Sequence, residues 1–292
     1  MVVVKLMGGL GNQMFQYAAG KYLSMTNQCP LLLDLSFLLE RENRPADFVF
    51  RDYDLDIFKL SVDFASISEV NKLKQWHSNK KINKLFRLLL GARPSYFKEP
   101  HFHFDSSLLT RKPPVYLDGY WQSEKYFKPI EQQIKKDFEF KSPVEEASLQ
   151  LANEILQNKS VCVNIRRGDF VTSSTHGTTN LDYYKKAESE LLKIIDDPIY
   201  NVFSDDIEWC MENIKFNAPT KYISHEHAGN KFGNYLQLMS FCKHFIIPNS
   251  SFGWWAAWLS NHPGKIVIAP KKWFNDGPQD TFDLLPEEWI KI

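Results

Sequence analysis

Apolar residues along the chain fall into short runs that stop abruptly at glycine-rich or polar clusters, as buried parallel strands do where they run into loops. Val2-Val3-Val4-Lys5-Leu6 is β-branched and apolar, and the loop "MGGLGNQ" follows it. Phe15, Ala18, Ala19, Tyr22 and Met25 then recur at helical spacing before a second apolar run, Leu31 to Leu35. That order predicts a βαβ opening. The middle, to about residue 140, is less regular and carries "FRDYDLDIFKL", a basic stretch and "VYLDGYWQSEKYF". After Ser142-Pro143, "VEEASLQLANEILQN" predicts a helix linking two domains. Beyond it "SVCVNI", "YNVF", "HFIIP" and "KIVIAP" read as strands, and the first three end in "RRGDF", "SDD" and "NSSFGWWAAWL". Open parallel sheets take ligands at the carboxyl ends of their strands, so these three clusters are expected to meet on one edge.

Length and composition narrow the class. At 292 residues the chain suits two domains, divided here as 1–141 and 142–292. Lys+Arg and Asp+Glu both number 35, so no global field draws the protein to nucleic acid. The four cysteines, Cys29, Cys162, Cys210 and Cys242, lie far apart with no CxxC pair, which predicts buried thiols rather than a zinc site or disulfide framework. The apolar start of "MVVVKLMGG" is too short for a signal peptide, and no run of ~18 apolar residues is present, so the expected location is cytoplasmic.

Each cluster supplies a chemistry. Arg166 and Arg167 offer planar forks of donors matched to phosphate oxygens. Strand alternation puts Cys162, Asn164 and Arg166 on one face, which suits Arg166 to a ligand and Arg167 to a structural ion pair; the alternative is that both are exposed strand-end charges. Ser250 and Ser251 precede a helical stretch whose N-terminus favours an anion, or they simply cap it. Asp205 and Asp206 suit a ribose or base edge, or a solvated turn. The loop Gly9-Leu10-Gly11-Asn12-Gln13-Met14 breaks G-x-G-x-x-G and lacks the lysine of a P-loop, leaving a glycine turn that brings Asn12 and backbone N–H groups to a ligand. Asp54 and Asp56 form a D-x-D unit set among apolar residues, a poor metal site. Trp254, Trp255 and Trp258 are spaced as helix core, and Trp121 is an acceptor contact or a buried strand aromatic. Residues 72–98 hold eight Lys/Arg and no acid; with Leu85, Phe86, Leu88 and Leu89 they are a candidate peripheral membrane contact or a solvated helix face.

Taken in order, "GGLGNQMFQYAAG", "GYWQSEKYF", "NIRRGDF", "FSDD" and "PNSSFGWWAAWL" resemble the alpha-1,2-fucosyltransferases of glycosyltransferase family 11, over residues 2 to 275. The resemblance implies an α/β, GT-B-like fold of two Rossmann-type domains with a cleft between them. Residues 1–141 would be the acceptor side and carry the glycine loop; 142–292 would bind the nucleotide sugar. The implied reaction moves L-fucose, with inversion, from GDP-β-L-fucose to the 2-hydroxyl of a terminal galactose in a glycan, with no obligatory metal or other cofactor. By the same match Gly9, Gly11 and Asn12 approach the donor diphosphate or fucose, and Arg166 holds the diphosphate. Ser250, Ser251 and Phe252 stand on its other side, Asp205 meets the nucleoside, and Asp169 is either the general base or a brace of its loop. The family pattern H-x-R-R-G-D has Asn164 in place of histidine here, and Phe170 where tyrosine is common. Asparagine does not titrate near neutral pH, so a structural role is what survives at that position. A GT-B-like transferase of another nucleotide sugar and a non-catalytic sugar-binding protein remain alternatives; the broken fingerprint disfavours a Rossmann oxidoreductase.

Overall fold

A computed structural model describes residues 1–42, 44, 48–78 and 95–292. Residues 79–94, with the leucines of the candidate membrane contact, lie outside the described residues. The chain forms two compact units, Met1–Glu139 with Asp280–Leu284, and Phe140–Gln279 with Leu285–Ile292. Among the described residues no helix is long and apolar enough to cross a membrane.

The first unit is built on a parallel sheet of five strands, β1 (Val2–Lys5), β2 (Leu31–Asp34), β3 (Asp63–Phe64), β4 (Tyr96–Lys98) and β5 (Val115–Asp118), in the order β3-β2-β1-β5-β4. β1 is central and Val2, Val3 and Val4 are wholly buried, as a strand covered on both faces requires. The predicted helix forms at Leu10–Thr26 and packs against β1 and β2, burying Met14, Phe15, Ala18, Ala19 and Leu23. Val70 and Leu73 of the helix Ile67–Ser78 join Val3, Leu32 and Tyr116 in a core cluster. The returning segment Asp280–Leu284 is tied to this unit by Asp283. Its carboxylate accepts from the Phe104 amide at 3.1 and 3.0 Å, and its carbonyl accepts from Ser123 Oγ at 2.8 Å.

The second unit has a parallel sheet of β6 (Ser160–Ile165), β7 (Ile199–Ser204), β8 (Thr220–Tyr222), β9 (His244–Ile246), β10 (Val267–Ala269) and β11 (Ile290–Lys291), ordered β11-β10-β9-β6-β7-β8. Strands stand where the four apolar runs predicted them. Every residue of β6 is buried, and Val161, Val163 and Ile165 pack with Tyr184, Leu191 and Val202. Trp254, Trp255 and Trp258 are core, in ring contact with one another, and Trp289 packs on Trp254. Burying an indole of this size contributes roughly 4–6 kcal/mol of transfer free energy at most. The expected linker helix, Leu149–Gln157, is instead an integral part of this unit: it buries Ala152 and Ile155 and packs on β6.

Candidate active site

In the first unit the glycine loop leaves the carboxyl end of β1 and is fixed by two buried glutamines. Gln16 clasps Met7, accepting from its amide at 2.9 Å and donating to its carbonyl at 3.3 Å. Gln13 Nε2 donates to the carbonyls of Gly8 (3.0 Å) and Asp52 (2.7 Å), while its Oε1 accepts from the Asp54 amide at 2.9 Å. Gly8 has φ +73°, and a Cβ there would come within 2.4 Å of Asn12 Nδ2, so this turn favours glycine. Gly9 takes the N-cap position of the helix Leu10–Thr26, with the Arg51 side chain beside it. Asn12 Oδ1 accepts from Gln122 Nε2 at 2.7 Å, which joins the first two family-like segments at the ends of β1 and β5. Next to them Glu99, at the end of β4, accepts from the Tyr120 amide at 2.7 Å and the Trp121 amide at 2.9 Å. Burial raises its carboxyl to about 7, against the pull of those two amides.

In the second unit β9, β6 and β7 are neighbours, so the clusters that follow them meet at one edge. Arg166 pairs with Asp169, three residues on, and its Nη1 lies 2.8 Å from Asp205 Oδ2. Asp205 Oδ1 accepts from the Arg167 amide at 2.8 Å. Gly168 exposes why the turn is glycine: a Cβ would sit 2.4 Å from Asp205 Oδ2. Arg167 Nε reaches Asp206 Oδ2 at 2.9 Å with its guanidinium 3.5 Å from the Trp209 ring centroid, a structural pairing as the strand alternation predicts. Asp206 also caps the helix Ile207–Asn213, accepting from the Trp209 amide at 3.4 Å. Ser250 is the N-cap of the helix Ser251–Leu259 but makes no capping bond with its side chain; Ser251 and Phe252 are partly exposed in its first turn. Asn164 is buried under that helix, donating to the Phe203 carbonyl at 3.1 Å, the structural role expected of it.

Several residues differ from their sequence reading or were not found by it. Trp121 is fully buried, in a loop with φ +55° rather than in a strand, and offers no surface to an acceptor. Asp54 and Asp56 belong to a single 3-10 turn around Leu55–Ile57, and among the described residues no group of three or more His, Cys, Asp or Glu stands ready to hold a metal ion. Gln13, Gln16, Gln122 and Asn249 were missed. Asn249 Nδ2 gathers the carbonyls of His176 (3.1 Å), Gly177 (3.3 Å) and Trp273 (2.9 Å), pinning the loop after the arginines beside the Ser250 turn. The only signal for it was its place in "PNSS".

The profile of glycosyl transferase family 11 matches residues 1–292. An alpha-1,2-colitosyltransferase of Escherichia coli is 33% identical over 100% of this chain and 98% of its own. A galactoside 2-alpha-L-fucosyltransferase of Caenorhabditis elegans is 26% identical over 66% of this chain and 57% of its own. Among solved structures, a variant of Arabidopsis thaliana FUT1 in complex with GDP superposes with a TM-score of 0.52 at 12% identity, covering 91% of this chain and 69% of that one. At that identity the likeness speaks for the fold.

Proposed function

The chain belongs to glycosyltransferase family 11, and from that premise we propose that it transfers L-fucose, with inversion, from GDP-β-L-fucose to the 2-hydroxyl of a terminal galactose in a glycan. The observation that carries this reading is the edge where Arg166, Asp205 and the N-terminus of the helix Ser251–Leu259 follow three adjacent strands. A guanidinium and a helix N-terminus both favour a diphosphate. Arg166 exchanges Asp169 for a phosphate oxygen while Asp205 holds the guanidinium in place, and each Asp205 oxygen keeps a second lone pair for a nucleoside hydroxyl. As the bond from the anomeric carbon to the phosphate breaks, negative charge grows on the leaving diphosphate, and fixed positive potential lowers that barrier without reorganisation. These residues supply that potential from the chain itself, so the reaction is read as needing no metal. Gly9, Gly11 and Asn12 belong to the sugar-handling edge of the first unit, and the galactose-type acceptor is assigned there.

A second donor is favoured by one observation, the 33% identity to a colitosyltransferase. The test has two stages. Melting with GDP, UDP, ADP and NAD comes first: a ligand at ~100 times its dissociation constant raises stability by ~2.7 kcal/mol, and GDP alone is expected to do so. A shift with NAD alone overturns the reading. Competition between GDP-fucose and GDP-colitose for a galactose-terminated acceptor then fixes the donor; preference for the colitosyl donor replaces the fucosyl assignment.

A further inference from the structure

The arginine turn holds more negative than positive charge. Arg166 and Arg167 face Asp169, Asp205 and Asp206, so two guanidiniums meet three carboxylates and the group is net −1. The Arg166 fork and the helix N-terminus still offer donors to a diphosphate entering there, and further positive charge beside it offsets the carboxylate excess of these pairs. His176 is able to gain that charge. Its ring stacks on Phe170 with centroids 4.7 Å apart and planes at 21°, and the Arg166 guanidinium lies 5.4 Å from the Phe170 centroid. Phe274 packs against the imidazole at 5.4 Å.

The ring is also held in position. Ser173 Oγ lies 3.3 Å from Nδ1 and accepts from the His176 amide at 3.2 Å, Asn249 holds its carbonyl, and the Asn275 amide donates to Thr175 at 2.8 Å. The charges facing the imidazole from the arginine turn are Asp169 and Arg166, which act on it in opposite senses. The segment 273–277 carries Asp276, which is exposed and touches this loop through its amide, bonded to the Thr175 carbonyl at 3.3 Å; the Asn249–Ser251 turn contributes no charge. Burial holds the imidazole below its ordinary value, so the ring is neutral in the free protein near pH 7.

We propose that His176 is a proton-switched ligand of the nucleotide: it takes up a proton from solvent as the diphosphate displaces Asp169 from Arg166, and the imidazolium then holds the diphosphate. This rests on the reading of Arg166 as the diphosphate site. The added charge balances the three carboxylates, and the phosphate oxygens in turn favour the protonated ring. Binding then carries a proton with it, and linkage makes the GDP dissociation constant rise by up to tenfold per pH unit above neutrality.

The experiment is calorimetric titration of GDP into the full chain at about pH 7.5, in two buffers of different ionisation enthalpy, which counts the protons exchanged. His176→Phe keeps the aromatic stack and removes both nitrogens; His176→Gln keeps a donor and acceptor without basicity. GDP's own terminal phosphate titrates near pH ~6 and cancels between proteins. The expected result is more proton uptake by the wild type than by either variant, with a flatter pH dependence of affinity in both. Equal proton counts in wild type and His176→Phe overturn the inference while nucleotide binding stands. Absence of any GDP binding by the wild type overturns the underlying reading of the arginine site.

Discussion

Replacing Arg166 by alanine tests the chemistry and the packing of the second unit together. The side chain is 27% exposed, and its partners Asp169 and Asp205 are 27% and 15% exposed. Asp169 is partly exposed, and Asp205 still accepts from the Arg167 amide at 2.8 Å. The loss of stability therefore falls between that of an exposed ion pair and a buried one, about 1–2 kcal/mol. For a chain of 292 residues that is a drop in melting temperature of roughly 2–3 °C. Turnover suffers far more. The local charge goes from net −1 to net −2, and the leaving diphosphate loses its fixed cation, an electrostatic contribution of about 2.7–4 kcal/mol, or 100- to 1,000-fold in rate. Arg166→Lys restores the charge but not the fork, so it is expected to recover only part of the rate. The assay is initial-rate transfer of the donor sugar to a galactose-terminated acceptor, with melts in GDP run alongside. Turnover within a few-fold of wild type in a folded Arg166→Ala refutes the reasoning.

Asp169→Asn removes the carboxylate that stands on Arg166 where a phosphate is proposed to bind. Tighter GDP binding with less than about tenfold loss of turnover is expected; a loss of roughly 100-fold or more at unchanged affinity makes Asp169 the general base instead. Chelators are expected to leave turnover unchanged, and loss with recovery on magnesium or manganese returns Asp54 and Asp56 to consideration. Glu99, raised to about 7 by burial, binds a proton more readily folded than unfolded. Its contribution to stability is thus full below its ordinary value and is lost as pH rises through about 7. Relative to wild type, Glu99→Gln should gain about 2–3 kcal/mol between pH ~5 and pH ~8, read as melting temperatures; a flat difference removes the raised carboxyl.

The second unit was the more legible in the sequence because its strands are buried on both faces. Val161 to Ile165 and Val267 to Ala269 show as apolar runs, and parallel topology sends whatever follows each run to the same edge. Arg166, Asp205 and Ser250 could therefore be assembled from strand ends alone. In the first unit β3 and β4 are only two and three residues long and carry Asp63 and Lys98, too little pattern to read. The glutamine braces of the glycine loop were hidden for another reason. Gln13 and Gln16 lie on a helix face where sequence reads polar residues as solvated, and only their long-range partners, Asp52, Asp54 and Met7, explain their burial. His176 gave no periodic signal at all, since its place depends on Phe170, Phe274 and Asn249 meeting from three segments.

The return of Asp280–Leu284 to the first unit governs how the protein is made and recombined. The backbone passes between the units at 139/140, 279/280 and 284/285, so no single cut releases either one whole. During synthesis the edge of β10 waits for its partner β11, which begins at Ile290, to emerge. A fragment ending at residue 279 keeps the arginine turn yet leaves that edge open and deprives Phe104 and Ser123 of Asp283. Chimeras built to exchange the first unit between relatives must accordingly take 1–139 and 280–284 from one parent, and 140–279 with 285–292 from the other.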